Sequence, residues 1–166
     1  MRIGKHIHLM LLGVVMSFLA AAGTLSCGSS NPGAAEAEQA QREKEFQEMM
    51  TGATMEGYFT TDSRDPATPR QETYHIHSIS KLAGNYWTLQ ARIQYGERDV
   101  TLPIPVHIEW AGDTPVITLT DAEIPGLGTF TARVLFYRGR YAGTWSHGER
   151  GGNQFGRIVP RGAAAE

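Results

Sequence analysis

"NYWTLQARIQYGERDVTLPIPVHIEWAG", residues 85–112, alternates apolar and polar residues twice over. The first run sets Trp87, Leu89, Ala91, Ile93 and Tyr95 on one side and Thr88, Gln90, Arg92 and Gln94 on the other. The second sets Val100, Leu102, Ile104, Val106, Ile108 and Trp110 against Thr101, His107 and Glu109. Successive side chains of an extended chain point to opposite faces, so a period of two predicts two half-buried antiparallel strands. The YGER between them is short and contains glycine, as a hairpin connection requires.

The same signal continues on both sides. MEGYFTT and ETYHIHSIS come before, and PVITLTD, GTFTARVLFYR, RYAGTWSH and NQFGRIV come after. The separators AGDT, IPGLG, YRGR and HGERGG are short and rich in glycine or aspartate, and no helical period falls between the strands. Parallel pairing needs long crossovers, so the expected fold is all-β: a small antiparallel up-and-down barrel of about eight strands, with a β-sandwich as the alternative. Pro103 and Pro105 lie two apart and lack N–H groups on the same side, which predicts a gap or sharp corner at residues 102–105.

Ahead of the strands, EAEQAQREKEFQEMM consists mainly of strong helix formers. Only Phe46, Met49 and Met50 offer an apolar stripe, so this stretch reads as a solvated helix or a disordered spacer. GSSNPGAA, residues 28–35, reads as flexible. Residues 28–53 as a coil span roughly 30 Å, enough to hold a domain clear of a bilayer.

The N-terminus gives an address. Arg2 and Lys5 precede an uncharged, apolar run from Leu9 to Leu25, the pattern of a secretory signal and too short for a comfortable membrane span. Ser26-Cys27 follows, and Cys27 is the only cysteine of the chain. One thiol makes no internal disulfide, so export is not used here for stapling. "TLSC", residues 24–27, resembles the lipobox of bacterial lipoproteins, although Thr24 stands where leucine is usual. The resemblance implies cleavage before Cys27 and acylation of its thiol. It gives a signal peptide over residues 1–26, a lipidated tether over 27–53, a β domain over 54–162 and a disordered tail over 163–166. The expected location is the cell envelope, with the outer membrane favoured by Gly28 where the cell has one.

The whole chain carries 17 acidic and 15 basic residues; loss of Arg2 and Lys5 with the signal leaves 13 basic ones. A weakly acidic surface does not attract phosphate backbones, which argues against nucleic acid as a partner. His6 and His8 leave with the signal.

"YAGTWSHGERGGNQFGRIVP", residues 141–160, is rich in glycine. A hairpin centred near Arg150 and Gly151 sets Trp145 opposite Gly156, a ring over a bare backbone. Gly143-Thr144-Trp145 resembles the short motif of lipocalin-type and avidin-like barrels, here on the second-last strand, and implies barrel style with no ligand residues. Residues Asp113 to Ile158 resemble the ends of uncharacterised small bacterial lipoproteins, which implies a family without an established activity.

The chemistry-bearing residues are few. His75 and His77 flank Ile76 and stand about 7 Å apart on one face. With His107 or Glu109 they would form a metal site, while two exposed histidines on a polar face is the plainer reading. Ser146 and His147 are adjacent on a strand and point to opposite faces, so with Asp113 or Asp121 they make no catalytic set, and no nucleophile elbow or phosphate-cradling loop is present. The expectation is a protein without enzymatic machinery and without a cofactor. The aromatic residues carry the sharper reading: Trp87, Trp110 and Trp145 lining an apolar pocket at one barrel mouth, with AEIPGLG (122–128) as a lid or contact loop. Two functions follow: a membrane-anchored module holding a small apolar or amphipathic ligand, or an envelope scaffold or inhibitor acting on partner proteins through its surface.

Overall fold

The computed structural model describes residues 32–95 and 97–163. One helix, α1 (Pro32–Met50), precedes eight strands: β1 (Thr54–Phe59), β2 (Arg70–Ala83), β3 (Tyr86–Tyr95), β4 (Arg98–Ala111), β5 (Thr114–Ile124), β6 (Gly128–Tyr137), β7 (Arg140–His147) and β8 (Arg150–Val159). Each strand pairs antiparallel with the next, and β1 closes on β8, giving a closed up-and-down barrel. The expected all-β barrel is the one observed. The segments read as the signal and the lipidated cysteine, residues 1–26 and Cys27, lie outside the described residues, as do tail residues 164–166.

An eight-stranded barrel is just wide enough for its own side chains to fill. The alternating residues of β3 and β4 supply that filling: Trp87, Leu89, Ala91 and Ile93 from one, Ile104, Val106 and Ile108 from the other, all buried. Every core residue lies between Phe46 and Ile158. The chain from Pro32 onward is one compact unit and holds the core formed by the described residues.

The two prolines sit at a local opening of the wall. β3 and β4 pair without interruption from Tyr86↔His107 to Tyr95↔Arg98. β4 and β5 pair only from His107↔Thr118 to Ala111↔Thr114. Pro103 and Pro105 lie beyond the last of those pairs, where a missing N–H removes no bond to β5. The corner itself is on β5, where Thr120 and Asp121 form a bulge between Leu119↔Ala132 and Ala122↔Phe130, with Asp121 at φ 49°. The sheet therefore closes around the gap predicted at 102–105.

α1 does not stand free as a spacer. Phe46 and Met50, four residues apart, share one face, and both are buried with Ala53 in the barrel core. Phe46 meets Trp110 at 6.2 Å and Phe136 at 5.5 Å between ring centroids, edge to face. Glu43 ties α1 to β2 through Lys81 at 2.6 Å. Gly52, at φ 77°, ends the helix in the left-handed conformation and donates to Ile76 O at 2.8 Å, which turns the chain into β1. α1 thus stoppers the barrel end where β1 begins, leaving the end with residues 60–69, 125–127 and 148–149 as the mouth.

Candidate functional site in the barrel lumen

A polar cluster lies inside the barrel on the mouth side of the apolar core. Glu72, two residues in from the start of β2, is only 4% exposed, and Gln154 of β8 is 8% exposed. Tyr74 Oη donates to Glu72 Oε2 at 3.0 Å and lies 3.5 Å from Gln154 Oε1. Tyr141 Oη, from β7, donates to Glu72 Oε1 at 3.0 Å.

Two glycines make that last bond reachable. Tyr141 is opposite Gly156, Gly156 is opposite Gly57, and Gly57 is opposite Glu72, a single row across four strands. A Cβ at Gly156 would stand 2.7 Å from Tyr141 Cε1, and one at Gly57 would run into Tyr141 Oη and the Phe155 carbonyl. The phenol lies flat along the bare backbone of β8 and β1 and delivers its hydroxyl to β2. The ring over Gly156 is Tyr141, not Trp145 as the sequence reading sets it. Trp145 is opposite Gly152 and Tyr141 opposite Gly156, because the β7–β8 turn falls at Gly148 (φ 59°), not at Arg150 and Gly151.

Burial dominates the electrostatics. It raises the Glu72 carboxyl from 4.5 to about 7, against the opposing pull of the two phenol hydrogen bonds. The Tyr141 phenol is held well above its ordinary range by burial first, then by the neighbouring Glu72 charge. Among the described residues no cation forms an ion pair with Glu72. Arg70, the preceding residue on the same face of β2, places its guanidinium over the Phe59 ring at 5.8 Å. The rim continues with Trp145, edge-on to Phe59 at 5.9 Å and donating Nε1–H to Thr60 O at 3.2 Å, and with His147 stacked on Phe130 at 4.4 Å.

The three tryptophans are not gathered at one mouth. Trp87 is 1% exposed within the packed core at the α1 end, its Nε1–H buried without an acceptor among the described residues. Trp110 lines a hollow of about 360 Å3 outside, between α1 and the strand ends, with Arg42, Met49 and Tyr137. Trp145 belongs to the opposite end. The three rings stand at different heights along the barrel.

The histidines also stand apart. His75 and His77 lie on the outer side of β2, His75 held at 3.2 Å from both Thr54 Oγ1 and Gln94 Oε1. His77 falls in the bulge between Ile76 and Ser78. His107 lies 3.1 Å from Asn85 Oδ1 and rests on Tyr86. His75 shares a row with Arg92 and Thr101, and His107 is six residues further along β4, about 20 Å away. Among the described residues no group of three or more histidine, cysteine, aspartate or glutamate side chains is placed to hold a metal ion.

Glu72 was open to detection in the sequence, since it and Tyr74 share the inward parity of Ile76. Its weight as a site comes from Tyr141, 69 residues away, which no local pattern connects to it. No protein-family model matches this chain, and no curated protein matches it.

Proposed function

We propose that this is a lipid-anchored envelope protein whose barrel is a non-catalytic binding module working at the mouth opposite α1. One observation carries the reading: a carboxyl buried in the lumen without a cationic partner, under a rim of aromatic rings. A buried charge is ordinarily paired. The natural complement of Glu72 is an amine or other hydrogen-bond-donating head, with Phe59, Trp145 and Phe130 receiving the apolar remainder of an amphipathic ligand. Cys27, acylated, holds the module at the membrane.

Native mass spectrometry of residues 32–166, purified gently from an exporting host, tests this. The expected result is a reproducible added mass that disappears on denaturation and is lost in Glu72→Gln, whose amide keeps an acceptor for Tyr141 but not the charge. A bare mass in every preparation would reject the lumen as a binding site. It would favour the second reading, an envelope scaffold acting through its surface, which draws its support from the solid core of the stoppered half.

A further inference from the structure

The outer wall of the barrel is unequal around its circumference. Tyr58, Phe155, Ala142 and Leu135 form one continuous outward row across β1, β8, β7 and β6, since each is the register partner of the next. Tyr58 is 40% exposed, Phe155 44% and Leu135 43%, and Tyr137, two residues beyond Leu135 on the same side, is 49% exposed. Apolar side chains of this size side by side, in water, mark a contact surface. β7 presents only Ala142 and Thr144 between the bulkier residues of β6 and β8, which flattens the wall there.

Arginines border this row on both sides. The row nearer α1 runs Tyr137, Arg140, Arg157 and Glu56; the row nearer the mouth contains Arg133. Arg157 bonds Glu56 at 3.0 Å, and Arg138 lies over Tyr137 at 5.1 Å. Arg133 gives its hydrogen bonds to neutral oxygens of Leu119, Ala132 and Thr120. Arg140 has no partner among the described residues. Four arginines thus stand around the apolar row, against Glu56 beside it and Asp121 and Asp62 further toward the mouth. The wall across the barrel is more polar along its length: Gln71, Thr73, Gln90 and Thr88 lie on it, Arg92 is neutralised by Asp99, and its exposed Leu82 and Tyr86 are confined to the β2–β3 hairpin at the α1 end.

We infer that the β6–β8 wall is a docking surface for an anionic lipid bilayer, Tyr58, Leu135, Tyr137 and Phe155 entering the interface and the arginines meeting the headgroups. Tyrosine, with an apolar ring and a polar tip, and arginine, with an apolar stem and a charged head, suit that boundary. Cationic side chains near an anionic leaflet each add attraction. The choice of a bilayer rests on the anchoring reading, because Cys27 lies only five positions before Pro32 and keeps the domain beside a membrane. A shallow, weak contact is then sufficient, since the anchor raises the local concentration.

The test uses residues 32–166, which lack Cys27, so that the wall and the anchor are judged separately. Cosedimentation is measured with phosphatidylcholine vesicles, with and without added phosphatidylglycerol. Binding is expected only to the anionic vesicles and is expected to weaken as salt rises. Arg140→Glu should weaken it about tenfold, and the pair Leu135→Ser with Phe155→Ser should abolish it. Thermal unfolding should be unchanged in these variants, because all three side chains are exposed. Failure to bind anionic vesicles, equal binding by Arg140→Glu, or self-association of the free protein that the serine pair removes would overturn the proposal.

Discussion

Glu72 is the residue at which folding and ionisation are opposed. In the unfolded chain its carboxyl loses a proton near 4.5, and in the folded chain near 7. Between these values the folded state binds more protons, so stability falls as pH rises through that window and remains lower above it. The difference corresponds to about 3 kcal/mol. Denaturant midpoints measured from pH 4 to pH 8 should therefore decline in the native protein relative to Glu72→Gln, which carries no titrating group at this position. Parallel pH profiles for the two proteins would remove Glu72 from the lumen. The sequence shows Glu72 with inward parity, yet the cost of placing it inside depends on Tyr74, Tyr141 and Gln154 arriving from three strands. The ring-over-glycine pairing was legible as chemistry but not as register, because HGERGG offers three glycines and any of them could take the turn.

At the level of elements, α1 is the one whose role departs furthest from its composition. Its sequence is dominated by charged and amide side chains, and only one face near its end is apolar. Four residues' separation puts Phe46 and Met50 on that face, and the Gly52 turn aims it at the barrel end. Phe46→Ala should cost about 3 kcal/mol or more, as expected for a large ring removed from a packed core. Chemical denaturation of the full domain measures it; an unchanged midpoint would restore α1 to the status of a spacer. The strands were legible because a period of two, sustained along the whole of β3 and β4, fits a pleated chain and no helix. The β4–β5 opening was legible through Pro103 and Pro105. The bulges were not: a single extra residue on β2 or β5 leaves the alternation intact on either side, and only its phase changes.

For the whole molecule, closure is the governing fact. Seven of the eight ladders join strands adjacent in sequence, and one, β1 with β8, joins the ends of the domain. The bond from Tyr141 to Glu72 bridges that closure, as does Arg157 to Glu56, 101 residues apart. Loop closure must precede any reward from such distant contacts. Tyr141→Phe should consequently speed unfolding about tenfold while leaving the refolding rate in place, as read from a chevron plot. Slower refolding with unchanged unfolding would mean that the closure forms early. The same ladder sets a condition on synthesis. A chain ending before residue 150 has every hairpin but the last, and it leaves β1 and β7 with bare edges that seek any strand nearby. Losing the final strand therefore turns a closed barrel into an open sheet prone to aggregation, and during synthesis that exposure lasts until β8 has emerged.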